Sequence, residues 1–326
     1  MALQGVWRAH SVSSARYRGG HGVNGSSLRA SVVTIGVFDG VHRGHQAIIR
    51  VAQKRAQAMD VPAVAVTFDR HPQEAIQPEK APPYLTTLTT RLRLLVEAGL
   101  RDVLVLRFDR DLAALHPEAF LQSVLQRHLN ARHIVVGRDF RFGWQRMGSV
   151  EYLQEAQSHF GFTVEAVADV QYCGERISSS RIRQALLEGD LQAANAMLGR
   201  AYILEGVVVR GQQMGRKLGF PTVNLSLRIA QVVPKDGIYA GKLLHPRTGC
   251  VYTSAISVGV RPTVDGKTRT IEAYLVGFSG DLYGEEVHLA FFHRLRDERR
   301  FESLDALKTQ MGKDVEQVVA LMSTVG

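Results

Sequence analysis

The chain has 326 residues, enough for two domains of about 150 residues each. Its 45% hydrophobic and 22% charged residues are ordinary for a globular protein and exclude wholesale disorder. Only two cysteines, Cys173 and Cys250, are present and they lie far apart, which excludes a disulfide framework or a CxxC zinc ribbon and suits a reducing cytoplasm.

No run approaches the roughly 18 uncharged apolar residues of a membrane span, so a membrane is not an expected partner. The formal charge is +9, and four of the excess cations (Arg8, Arg16, Arg18, Arg29) fall in an acid-free opening. Such an opening resembles an organellar transit peptide in composition, but it is Gly-rich and has no amphipathic period. A flexible arm over residues 1–30 is the expectation. The remaining surplus is scattered rather than clustered with aromatics, so nucleic acid is not expected as a partner either. Composition leaves assembly into a homo-oligomer open.

From residue 31 the pattern becomes regular. Ser31–Ile35 is a β-branched run ending at Gly36, followed by a loop from Val37 to Gly44 and a helix over Gln46–Met59, with Ile48, Val51, Ala52 and Met59 near helical spacing. Further strands are expected at Val61–Phe68, Val103–Phe108 and Ile134–Val136, with helices at Thr90–Ala98 and Pro117–Leu129 between them. Strands alternating with helices predict a doubly wound parallel α/β sheet over residues 31–190. Residues 181–199 read as helices closing that domain.

Beyond Tyr202 short strands follow one another with Gly, Pro and Asp turns: Tyr202–Val209, Gly237–Leu244, Val251–Val258, Thr270–Gly277 and Glu286–Phe292. This predicts an antiparallel barrel or sandwich over residues 200–326. It is closed by a helix whose Leu304, Leu307, Met311, Val315, Val318 and Met322 read as a core stripe.

Two stretches carry chemistry. Gly36-Val-Phe-Asp-Gly-Val-His-Arg-Gly-His45 sits where a strand gives way to a helix. Loop glycines there let backbone N–H groups approach an anion, and the helix N-terminus adds partial positive charge. His42 and His45 are one helical turn apart, placed to donate hydrogen bonds to a polyphosphate. An ordinary histidine pair or a metal-binding HxxH is the blander reading. A second segment, Ile177-Ser-Ser-Ser-Arg-Ile-Arg183, joins capping hydroxyls, free N–H groups and cations at a helix start.

In the second half, Gly211-Gln-Gln-Met-Gly-Arg-Lys-Leu-Gly-Phe-Pro-Thr-Val-Asn224 imitates a Walker A loop, but it lacks the GK[ST] ending and precedes strands rather than a helix. Thr222 and Asn224 alternate onto one strand face and present two oxygens toward one point, as a Mg²⁺–ATP site requires.

The first pair of segments resembles the HxGH nucleotidyltransferases, which join such a loop to a distal ISSTxxR segment. With Thr67-Phe-Asp-Arg-His-Pro72, Val136–Gly143 and Phe220-Pro-Thr-Val-Asn224, the chain from Val32 onward is similar to the prokaryotic bifunctional riboflavin kinase/FAD synthetase family. Departures are Ser180 for Thr, Arg70 for Pro, Asp139 where some relatives have Asn, Val223 for Ala, and Arg261 before Pro262-Thr263.

The resemblance implies a Rossmann-like FMN adenylyltransferase domain and a riboflavin kinase barrel. Riboflavin, FMN, FAD and ATP would be the small-molecule partners and Mg²⁺ the cofactor. It assigns catalysis to Glu272, His42 and His45, and ATP contacts to Gly36, Phe38, Asp39, Ser179, Ser180, Arg183, Gly215, Gly219, Thr222 and Asn224. Phe68 and Asp139 would touch flavin, and Thr222 and Asn224 would hold the metal. A narrower alternative keeps only one of the two activities.

Overall fold

The computed structural model describes residues 16–19, 30–100, 102–211, 215, 218–263 and 266–325. It divides into two compact units, one made of the described parts of Ser11–Pro83 and Leu88–Ser178, the other of Tyr84–Thr87 and those of Ser179–Gly326.

The first unit holds strands β1 (Arg16–Gly19), β2 (Ser31–Ile35), β3 (Ala63–Phe68), β4 (Asp102–Leu106), β5 (Ala131–Gly137) and β6 (Thr163–Val167). Its helices are α1 (Arg43–Ala58), α2 (Pro72–Ile76), α3 (Leu88–Glu97), α4 (Arg110–Ala113), α5 (Pro117–Phe120) and α6 (Val150–Phe160), and α5 runs on through π-helical turns over Leu121–His128. A hairpin of β7 (Gln171–Tyr172) and β8 (Glu175–Arg176) closes the unit.

The sheet order is β1-β4-β3-β2-β5-β6, with every pairing parallel. Period-2 alternation splits the sheet into two buried faces. Val33, Val66 and Ile134 pack under the 117–128 helix and α6, while Val32, Ala65, Val103 and Val135 pack under α1 and α3. Parallel strands covered on both sides explain why β2 is buried along its whole length. Arg55 of α1 reaches Glu165 of β6 at 2.6 Å, and this hydrogen bond holds the carboxyl below its ordinary range.

Several expectations change here. Strand β6, with three β-branched residues among its five, and helix α6 are additions to the elements expected from the sequence. Of the arm expected over residues 1–30, Arg16–Gly19 pairs with β4; positions 1–15 and 20–29 lie outside the described residues. In α1 the buried stripe is Ile49, Ala52 and Ala56, and Met59 is exposed.

The second unit opens with α7 (Ser179–Glu188) and α8 (Leu191–Leu198). There follow β9 (Tyr202–Val209), β10 (Thr222–Leu227), β11 (Gly237–Leu244), β12 (Val251–Thr263), β13 (Gly266–Leu275), β14 (Glu286–Arg296) and α9 (Leu304–Ser323). Because β9 pairs with both β10 and β14, the antiparallel sheet closes as a barrel rather than a sandwich. Tyr202, Tyr239 and Phe291 fill its interior, with Tyr239 edge-on to Phe291 at 5.2 Å.

The helices expected to close the first domain group instead with this barrel. Asn195 of α8 donates to the Phe291 carbonyl at 3.0 Å and accepts from the Tyr202 amide at 2.8 Å. On α9 the expected stripe holds only toward its C-terminal end: Val318 and Met322 are buried over Ala240, while Leu304 is 61% exposed. The helix also buries Asp314, which accepts a two-pronged contact from Arg296 at 2.5 and 2.9 Å.

Candidate active sites

The strand order reverses at β2: β3 and β4 continue to one side, β5 and β6 to the other. In an open α/β sheet the crevice at such a switch point, outside the carboxyl ends of the strands, is where ligands bind. The loop from Gly36 to His45 leaves the carboxyl end of β2 and enters α1 there.

Phe38 (φ 53°), Gly40 (φ 81°) and Val41 (φ 39°) adopt left-handed backbone. For the two non-glycine residues this costs on the order of 1–3 kcal/mol each, a strain that persists where surrounding structure enforces it. The surroundings do so. Phe38, Asp39 and Val41 are buried, Gln46 Nε2 donates to the Val41 carbonyl at 2.9 Å, and the Val37 carbonyl accepts from Thr67 Oγ1 at 3.1 Å and Arg91 Nη1 at 2.8 Å. Gly36 is needed for close approach: a Cβ there would stand 3.3 Å from the Phe38 ring.

His42 is the N-cap of α1, and the His45 amide donates to its Nδ1 at 3.4 Å. An Nδ1 that accepts places the ring proton on Nε2. The two imidazoles stack with centroids 3.7 Å apart, and Phe38 meets His45 edge-on at 5.2 Å. With the helix N-terminus, this is a compact set of donors suited to a phosphate. His42 is buried; its neighbour His45 is partly open.

Phe68 ends β3, half-buried and edge-on to Phe108 at 5.2 Å. Asp139 follows β5 and meets Arg176 of β8 at 2.6 Å; Arg176 also reaches Asp169 at 3.3 Å. Ser179 and Ser180 open α7 and Arg183 follows one turn on, buried. Within the α/β unit, the Ile177 carbonyl lies 3.7 Å from where a Cβ on Gly44 would stand.

In the barrel, Thr222 lies opposite Tyr274 and Asn224 opposite Glu272. Directly paired residues of antiparallel strands point to the same side, so these four side chains share one face. Ile271, Ala273 and Leu275, on the alternate positions, belong to the buried core. Thr222 Oγ1 donates to Glu272 Oε2 at 3.2 Å, and Glu272 is only 8% exposed.

The glycine-rich stretch packs against this face. A Cβ on Gly211 would come within 2.4–2.6 Å of the Asn224 amide, and one on Gly215 within 2.3 Å of the Phe220 carbonyl. Phe220 in turn packs edge-on to Tyr274 at 5.4 Å. Gly219, with φ 89°, is an exposed turn position between them. Positions 212–214 and 216–217 lie outside the described residues.

Arg91, Arg176 and Gly211 join these sites without having been singled out from the sequence. Gly211 stood in a marked stretch and could have been found there. An arginine in the first turn of a helix reads as a solvated cation, and nothing local says that Arg91 is buried.

Both halves of the chain match known families. The FAD synthetase family model matches residues 25–181 and the riboflavin kinase model residues 198–322. Bifunctional riboflavin kinase/FMN adenylyltransferase of Escherichia coli K12 is 39% identical over 301 residues, covering 91% of this chain and 94% of the relative. The Haemophilus influenzae protein of that name is 37% identical, covering 94% and 99% of the two chains, and that of Pseudomonas fluorescens 40% identical over 90% and 93%. A solved structure titled a macrolide-efflux protein from Streptococcus pneumoniae superposes with a TM-score of 0.83 at 33% identity over 92% of this chain and 97% of that one. No helix among the described residues here is long and apolar enough to cross a membrane. Matched along nearly its whole length and in both halves, the chain belongs to the bifunctional riboflavin kinase/FMN adenylyltransferase family.

Proposed function

We propose that the two sites divide two consecutive reactions. The barrel transfers the γ-phosphoryl group of ATP to the 5′-hydroxyl of riboflavin, forming FMN and ADP. The α/β unit then joins AMP from a second ATP to the FMN phosphate, forming FAD and pyrophosphate. The observation that carries this reading is the Thr222–Asn224–Glu272 face under a glycine-rich cover, alongside a separate His42/His45 helix terminus.

In the barrel, Glu272 accepts the hydroxyl proton as the riboflavin oxygen attacks the γ-phosphorus. Thr222 Oγ1 and the Asn224 side-chain oxygen, beside the Glu272 carboxylate, form a hard oxygen donor set that fits Mg²⁺. When bound, Mg²⁺ offsets the charge on the ATP phosphates. Gly215 and Gly219 let the covering backbone come close to ATP.

In the α/β unit the nucleophile is already an anion, so no base is required. His42 and His45, with Gly36, Phe38 and Asp39 shaping the loop, hold ATP and stabilise charge growing on the departing pyrophosphate. Phe68 and Asp139 orient the flavin.

Purified protein given riboflavin and Mg²⁺-ATP should accumulate first FMN and then FAD on reverse-phase chromatography. Unchanged flavin with folded protein defeats the reading, and accumulation of FMN alone supports the single-activity alternative. A sharper check is Gly211→Ala. Its methyl group collides with Asn224, so riboflavin phosphorylation should fall about 10-fold or more through a displaced ligand, as for other small misplacements at a reacting centre. FAD formation from supplied FMN should stay as in the parent.

A further inference from the structure

We propose that Arg91 is a positioning residue for adenylyl transfer, a buried clamp that fixes the root of the His42/His45 loop. This rests on the reading of that loop as the ATP site.

The β2–β3 ladder ends where the Gly36 amide donates to the Val66 carbonyl at 3.0 Å. Beyond that point two backbone carbonyls at the carboxyl edge of the sheet are met by a side chain. Arg91 takes both: Nη1 donates to Val37 and Nη2 to Phe68, each at 2.8 Å. The Val37 carbonyl also accepts from Thr67 Oγ1 at 3.1 Å, so both of its lone pairs are engaged. That carbonyl belongs to the peptide immediately before Phe38, the first of the left-handed residues in the loop. Fixing its plane fixes the direction in which the chain leaves β2.

The clamp therefore joins the two features the reaction needs. One prong sets the path toward His42 and His45, and the other holds Phe68 at the end of the neighbouring strand. A planar guanidinium spans two carbonyls with parallel donors, whereas an ammonium is a point charge and cannot keep both in the same geometry. The side chain is 1% exposed, so its charge is not there for solubility. It is buried and bonded to backbone, so it acts through Val37 and Phe68.

The test compares Arg91→Lys, Thr67→Val and His42→Ala in the full chain, with riboflavin phosphorylation by the same molecules and the thermal unfolding curve of each variant as controls. Arg91→Lys should lower kcat/KM for ATP in FAD formation by about 10–100-fold, the scale of a misplacement of roughly 1 Å. Riboflavin phosphorylation should stay within two-fold of the parent. Thr67→Val, which removes one bond to the same carbonyl at nearly constant shape, should raise the KM for ATP several-fold with little change in kcat. Full FAD formation in Arg91→Lys overturns the clamp, and so does an unchanged KM for ATP in Thr67→Val. If Arg91→Lys fails to fold and loses both activities, Thr67→Val alone decides by the same KM. Full FAD formation in His42→Ala overturns the underlying reading of the loop and with it the clamp, whereas loss there with a normal Arg91→Lys overturns the clamp alone.

Discussion

Glu272→Gln should abolish the first reaction and spare the second. FMN formation from riboflavin is expected to fall by about 10²–10⁴-fold, the range contributed by a positioned general base. FAD formation from supplied FMN should remain within two-fold. Glutamine is the informative replacement because Glu272 is almost fully buried, accepts from Thr222 Oγ1 at 3.2 Å and lies directly opposite Asn224. An amide keeps the size of the side chain and can still accept from Thr222, but it cannot take up the riboflavin proton. Truncation to alanine would add a cavity and mix packing with chemistry. Riboflavin and FMN are separated by chromatography after single time points; parental FMN formation in the Gln variant would assign the proton to another group.

His42→Ala should do the reverse, lowering FAD formation by about 10²–10³-fold, the usual cost of one preorganised donor to a developing charge. Riboflavin phosphorylation should be unaffected. His42 has two roles, and a second variant separates them. Its Nδ1 caps α1 by accepting from the His45 amide, and its Nε2 carries the ring proton that the proposed phosphate contact would use. Loss of a cap destabilises a helix by about 1 kcal/mol. Asn at the same position restores the cap but lacks the reach of the ring. His42→Asn should therefore recover thermal stability without recovering FAD formation. Recovery of both would reduce His42 to a capping residue and move the phosphate chemistry elsewhere in the loop.

Much of this was legible because it is local. The strand before Gly36, the histidines one turn apart, the serines opening α7 and the alternation of Thr222 and Asn224 are all read within a few residues. Periodicity and turn chemistry act over the same short range. Glu272 was not legible in that way, nor were Phe68 and Asp139. Glu272 came from resemblance to a family, since an acid in an apolar strand has no marker for the face it takes. Register supplies that: Asn224 pairs with Glu272, and the core residues Ile271 and Ala273 fall on the other side.

The sequence by itself determined two folded halves, the order of most strands and helices, and two places where glycine-bounded turns present phosphate-binding residue types. Tertiary structure decided what depends on distant partners. It closed the second sheet by pairing β9 with both β10 and β14, and it grouped α7 and α8 with the barrel. It buried Arg91 beneath a loop more than fifty positions earlier in the chain, where the edge of a parallel sheet leaves backbone carbonyls to be satisfied. Hydrogen-bond satisfaction at a strand end is set by which chain arrives from elsewhere, and no window of neighbouring residues contains that information.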